Sequence, residues 1–102
     1  MKAVDTRTMA RGFRVLAKTK RSEAATMVLE AGENTGSDDN RHQESDQWLY
    51  VVSGTGIAIV EGRKHPLAEG VLLLIEAGET HEIIGSKNEP LHTLNFYAPC
   101  AY

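Results

Sequence analysis

The chain has 102 residues, 41% of them hydrophobic and 25% charged, with a formal net charge of −3; this is globular composition and excludes a disordered polyelectrolyte. The isoelectric point of about 5.8 lacks the basic footprint of a nucleic-acid binder, and the basic residues from Lys2 to Arg21 alternate with apolar ones as a solvated strand face does. Cys100 is the single cysteine, so no internal disulfide forms, packing alone holds the fold, and a reducing compartment is expected. Met1-Lys2-Ala3-Val4-Asp5 shows no apolar signal core. The longest aliphatic run, Val71–Ile75, falls far short of the roughly 20 residues a spanning helix needs, so the expectation is a cytoplasmic protein without membrane contact.

In chain order, a short helix is weakly indicated over Ala3–Met9. Strands are then expected at Gly12–Lys18, Glu23–Glu30, Gln47–Ser53, Gly56–Glu61, Val71–Glu76, His81–Gly85 and Leu91–Tyr97. Turn signals separate them: Gly32 to Gly36, Gly54-Thr55-Gly56, Glu61-Gly62-Arg63-Lys64, Glu69-Gly70, Ala77-Gly78-Glu79 and Gly85 to Pro90. Short strands with turns every 8–12 residues are the pattern of a sandwich or barrel. The expected fold is therefore all-β, a small antiparallel β-barrel or jelly roll, in one domain over residues 1–102. Gly54-Thr55-Gly56 has a phosphate-loop look but joins two strands, and it reads as a hairpin turn.

Three runs are apolar on both faces: Trp48 to Val52, Ile57 to Val60, and Leu72 to Ile75. A sheet with one wet face alternates more cleanly. Two-sided burial calls for a second layer, supplied either by a second copy in a homodimer or by the N-terminal strands. If Gln47 faces inward, Trp48, Tyr50 and Val52 face outward and form the dimer contact. The stretch Gly32–Asp46 is polar and acid-rich and feeds directly into a strand, a common setting for a ligand site at a barrel mouth.

Two spaced motifs in the middle of the chain resemble those of the cupin superfamily. The first family motif runs glycine, five residues, His-x-His, three or four residues, Glu, six residues, glycine. Here it reads Gly36, five residues, His42-Gln43-Glu44, two residues, Gln47, six residues, Gly54. The second runs glycine, five residues, Pro-x-Gly, two residues, His, three residues, Asn; here it reads Gly70, five residues, Glu76-Ala77-Gly78, two residues, His81, three residues, Gly85. Fifteen residues separate the two. The resemblance implies a β-barrel with a small-molecule pocket. It also implies a divalent metal (Fe, Mn, Ni or Zn) on the positions that match the family's ligands: His42, Glu44, Gln47 and His81. Glu44 stands where the family has a histidine, Gln47 where it has the glutamate, and the run between His42 and Gln47 is one residue short.

The residues themselves support a facial site. Positions two apart on a strand face the same way, which would turn His42 and Glu44 inward together, with His81 arriving from a neighbouring strand after the Gly78 turn. Two imidazoles and a carboxylate suit Fe(II), Mn, Ni or Zn, and Gln47 would add a neutral amide oxygen. Two functions follow: a metal-dependent oxygenase or isomerase acting on a small molecule, or a non-catalytic module binding a sugar or organic acid without obligatory metal. His65, in Arg63-Lys64-His65-Pro66, reads as a surface turn residue. His92 lies on a strand whose facing is undetermined, and Cys100 has no neighbouring base.

Overall fold

The computed structural model describes residues 1–7, 11–36 and 42–102. Eight strands follow in chain order: β1 (Gly12–Lys18), β2 (Glu23–Leu29), β3 (Asp46–Ser53), β4 (Gly56–Val60), β5 (Arg63–Leu67), β6 (Leu72–Ile75), β7 (His81–Gly85) and β8 (Leu91–Ala98). One sheet has the order β1-β2-β8-β3-β6 and the other β5-β4-β7. All pairings are antiparallel, and no helix occurs among the described residues. This is the expected all-β jelly roll. Between the sheets lies a core of Met27, Leu29, Leu49, Val51, Ala58, Leu67, Ile83 and Leu91, with Val60, Val71 and Leu73 packed against it.

Three local expectations change. Residues 3–7 form no helix, and positions 8 and 9 of the expected Ala3–Met9 helix lie outside the described residues. Asp5 Oδ1 accepts the Arg7 backbone N–H at 3.0 Å, a local bond that competes with a helical turn. Arg63-Lys64-His65-Pro66 is strand, not turn. The reversal is the two residues before it, Glu61 (φ 49°) and Gly62 (φ 77°), both left-handed, as a tight hairpin requires. Pro66 is tolerated because β5 is an edge strand with no neighbour on its far side to receive an N–H. His65 is exposed on that strand. Finally, Gly54-Thr55 closes no hairpin: β3 and β4 belong to different sheets, so this link carries the chain from one layer to the other.

Strand register puts the polar residues at one end of the barrel. Across the inner face of the larger sheet, Glu23 lies opposite Tyr97, Tyr97 opposite Gln47, and Gln47 opposite Ile75. The next inward row is Ala25, Asn95, Leu49 and Leu73. Beyond it come Met27, Thr93 and Val51, then Leu29 with Leu91. The inner face thus turns from polar to apolar along the strands. On the outer face of the same sheet, Trp48 lies between Phe96 and Leu74, and Tyr50 between Leu94 and Leu72. Trp48, Tyr50, Leu72, Leu74 and Phe96 are all exposed. The strand β1 does not cover this face; it extends the sheet beside β2.

Candidate functional site

Between the polar end of that inner face and β7 lies a cavity of about 580 Å³, within the usual range of small-molecule sites. Its floor is buried and includes Gln47, His81, Ile83, Asn95 and Tyr97, while Phe13, Asn34 and Tyr102 are exposed at its rim. His42 lines it as well.

A single turn places both histidines. Gly78 sits at φ 84°, a conformation that glycine reaches without a side-chain clash. Its N–H donates to the His42 carbonyl at 2.8 Å. Three residues later His81 opens β7, where strand alternation buries His81, Ile83 and Gly85 together. The imidazole rings of His42 and His81 lie 5.3 Å apart between centroids, tilted by 33°. Tyr97 meets the His42 ring edge-on at 5.1 Å and Tyr102 does so at 5.3 Å, with Tyr102 Oη 3.4 Å from His42 Nε2.

Burial holds both histidines below the ordinary imidazole pKa. At His42 the neighbouring His81 adds to that effect and Glu23 partly opposes it; at His81 the nearby Glu79 backbone opposes it. Burial also pushes the Tyr97 phenol far up. The pair is therefore neutral at neutral pH, in a pocket that disfavours charge.

Gln47 is buried and faces inward, as expected. Its Nε2 donates to Asn95 Oδ1 at 3.0 Å, and Asn95 Nδ2 donates to Thr93 Oγ1 at 3.1 Å. Two buried side-chain atoms of residues that line this cavity, Gln47 Oε1 and His81 Nδ1, have no partner among the described residues. Glu44 is elsewhere. Strand β3 starts only at Asp46, and residues 43–44 form a bend, so the two-residue parity that would bring Glu44 beside His42 does not operate. Glu44 is exposed and lines a shallow cleft with His42, Gln43, Ser45, Cys100 and Ala101, so His42 borders both that cleft and the main cavity, which Glu44 does not line. Among the described residues no three His, Cys, Asp or Glu side chains converge. The donors at hand are two imidazoles and one amide oxygen, which do not fit a two-histidine, one-carboxylate centre.

Several site residues escaped the sequence reading. Asn95 and Tyr97 alternate on β8 with the buried Thr93 and Leu91, a period-two signal whose facing depends on the register with Gln47. Tyr102 reaches the mouth because the N–H groups of Ala101 and Tyr102 donate to Glu23 Oε1 at 3.0 and 2.9 Å. His92 has the opposite parity and is no part of the cavity; its Nε2 lies 2.9 Å from Thr26 Oγ1 on the outer face. Cys100 Sγ donates to the Thr19 carbonyl at 3.0 Å.

An antiparallel jelly roll with a mixed polar and apolar cavity at one end, carrying an inward histidine from each of two spaced motifs, defines a class of small β-barrel pocket proteins. The Cupin domain family model matches residues 25–97, and the chain belongs to the cupin family. Its fold is similar to that of BH2720 from Bacillus halodurans, with a TM-score of 0.82 and 26% identity, over 90% of this chain and 73% of that one. It is also similar to TT1209 from Thermus thermophilus, with a TM-score of 0.83 and 22% identity, over 97% and 98% of the two chains. An uncharacterized protein, L612, of Acanthamoeba polyphaga mimivirus is 37% identical over 62 residues, covering 57% of this chain and 39% of that protein. The chain thus matches well under half of that relative's length.

Proposed function

We propose that this cupin is a small-molecule-binding protein whose ligand sits against His42 and His81 and needs no resident metal. The observation that carries this reading is the pair of side-chain atoms without a partner among the described residues, Gln47 Oε1 and His81 Nδ1, in residues 4% and 7% exposed that line the cavity from its two facing sheets. A buried polar atom left unpaired costs about 1–3 kcal/mol, and a bound molecule with matching groups removes that cost. A second reading is a divalent Fe, Mn, Ni or Zn ion on His42, His81 and Gln47 Oε1. The proximity of the two imidazoles favours it, while the exposed position of Glu44 leaves the ion without an anionic protein ligand.

The test is thermal-shift screening of chelator-treated protein against small polar molecules, with and without added divalent ions. A stabilising compound that needs no metal and is lost in His81→Ala supports the first reading. Near-stoichiometric metal in untreated protein, lost in both His42→Ala and His81→Ala, supports the second.

We further propose that residues 1–102 act as one unit in the cytoplasm and pair as a homodimer. The exposed apolar outer face of Trp48, Tyr50, Leu72, Leu74 and Phe96 supports pairing. Among the described residues no helix is long and apolar enough to cross a membrane.

A further inference from the structure

We propose that the cavity selects an uncharged ring bearing a hydroxyl group, and that Gln47, set by Asn95 and Thr93, is the residue that reads that hydroxyl. This deepens the ligand-binding reading above and rests on it.

Charge is the first constraint. Among the described residues no Lys, Arg, Asp or Glu lines the cavity; its polar groups are amides, imidazoles, phenols, Thr35 and backbone. A carboxylate or phosphate entering there would lose its hydration without a counter-charge. Burying an unpaired ion is far more costly than burying a neutral polar group.

Hydrogen-bonding capacity is the second constraint. The chain Gln47–Asn95–Thr93 has two self-consistent orientations. In the observed one, Thr93 Oγ1 accepts from Asn95, Asn95 Oδ1 accepts from Gln47 Nε2, and Gln47 Oε1 is left as a buried acceptor without a partner among the described residues. Turning both amides over makes the Thr93 hydroxyl the donor, and Gln47 then presents an N–H. His81 Nδ1 likewise donates or accepts according to its tautomer. A hydroxyl both donates and accepts, so it satisfies Gln47 in either orientation and His81 in either tautomer. A carboxylate only accepts and an ammonium only donates; each fits some of these states and opposes the others.

Shape is the third constraint. Phe13, His42, Tyr97 and Tyr102 present rings along one side of the cavity. The Phe13 and Tyr102 centroids are 4.7 Å apart, and Tyr97 and Tyr102 are 5.3 Å apart. Such a wall suits the flat face of an aromatic ring or the C–H face of a sugar. Ile83, Met27 and Leu29 add apolar surface to the lining.

Two matched probe pairs test the inference by calorimetric titration of the full chain: phenol against benzoate, and methyl β-glucopyranoside against glucose 6-phosphate. In at least one pair the neutral member should bind about tenfold tighter than its anion, the scale of one buried hydrogen bond or more. Gln47→Met, which keeps the length of the side chain and removes its polar end, should weaken that neutral probe about tenfold. The same variant leaves Asn95 Oδ1 without its donor, so its midpoint falls, but it should keep a cooperative thermal transition above the titration temperature, which separates loss of recognition from loss of fold. Phenol binding alone assigns an aromatic ligand, and glucoside binding alone a sugar. Anions binding more tightly than their neutral partners would overturn the inference, as would an unchanged neutral affinity in Gln47→Met or no binding by either neutral probe. If the anions bind and depend on His42 and His81, the pocket reading stands and only the ligand class fails. If no molecule in the thermal-shift screen binds, both fall.

Discussion

Alanine at Gly54 should damage this fold far more than alanine at Gly78, although both glycines have left-handed backbones. Gly54 lies at φ 87° on the link that carries the chain from the larger sheet to the smaller. A Cβ there would stand 2.0 Å from the Pro90 carbonyl oxygen and 3.0 Å from Leu91 Cα, both backbone atoms. Leu91 is fully buried and opens β8, the strand that carries Asn95 and Tyr97 into the cavity. Left-handed strain contributes about 1 kcal/mol and forced displacement of packed backbone about 1–3 kcal/mol, so the expected loss is about 2–4 kcal/mol. For a domain of this size that lowers the thermal midpoint by about 10–25 °C. At Gly78 (φ 84°) nothing lies within 4 Å of an added Cβ. Only the strain remains, about 1 kcal/mol and about 5 °C. Thermal unfolding followed by circular dichroism, checked by urea titration, reads both. Equal losses in the two variants, or a Gly54→Ala midpoint within about 3 °C of wild type, would refute the close-approach argument.

The same contrast between local and long-range information explains what could be read from the chain alone. Alternation and turn residues are local signals, and His81–Gly85 and Gly12–Lys18 emerge as strands with the bounds expected for them. Strand β5 was hidden because Pro66 reads as a breaker until β5 is known to be an edge. The Gly54 link looked like a hairpin because nothing nearby in sequence says that β3 and β4 belong to different sheets. The two histidines were legible through their motif spacing, which encodes the distance between barrel strands. Glu44 was misplaced by one assumption, that strand geometry extends back to residue 42, whereas β3 starts at Asp46. Asn95 and Tyr97 needed the β3–β8 register, a contact between segments nearly fifty residues apart. Tyr102 needed the Glu23 carboxylate from the far end of the chain. Fold class thus came from local pattern, whereas half of the cavity wall is a product of pairing between distant strands.

Glu23→Ala should release the Ala101–Tyr102 segment from the cavity mouth, because Glu23 Oε1 is the acceptor for both N–H groups; amide exchange at these two residues should speed up markedly, and unchanged protection would refute the clasp. Replacing Trp48 and Tyr50 together by lysine should turn a micromolar dimer into monomer in sedimentation equilibrium, and a wild-type chain that is already monomeric there contradicts the pairing. Glu44→Gln should leave ligand affinity unchanged in calorimetry while His81→Ala abolishes binding; strong loss in Glu44→Gln would return the carboxylate to the site. Acid should weaken the protein through its buried histidines. Burial lowers the folded-state pKa of His42 and His81 from an ordinary value near 6.5, so below that value the unfolded chain binds more protons than the native one. Stability that is complete above about pH 6.5 is therefore lost as pH falls below it, down to the native pKa values. Protonating one ring also sets a positive charge beside the other, 5.3 Å away, so the second proton is opposed more strongly than the first. Urea unfolding at several pH values between about 7.5 and 5 should show this decline in wild type and a shallower one in the His42→Gln, His81→Gln double variant. Identical slopes in the two proteins would mean that the histidine pair is not the source of the acid sensitivity.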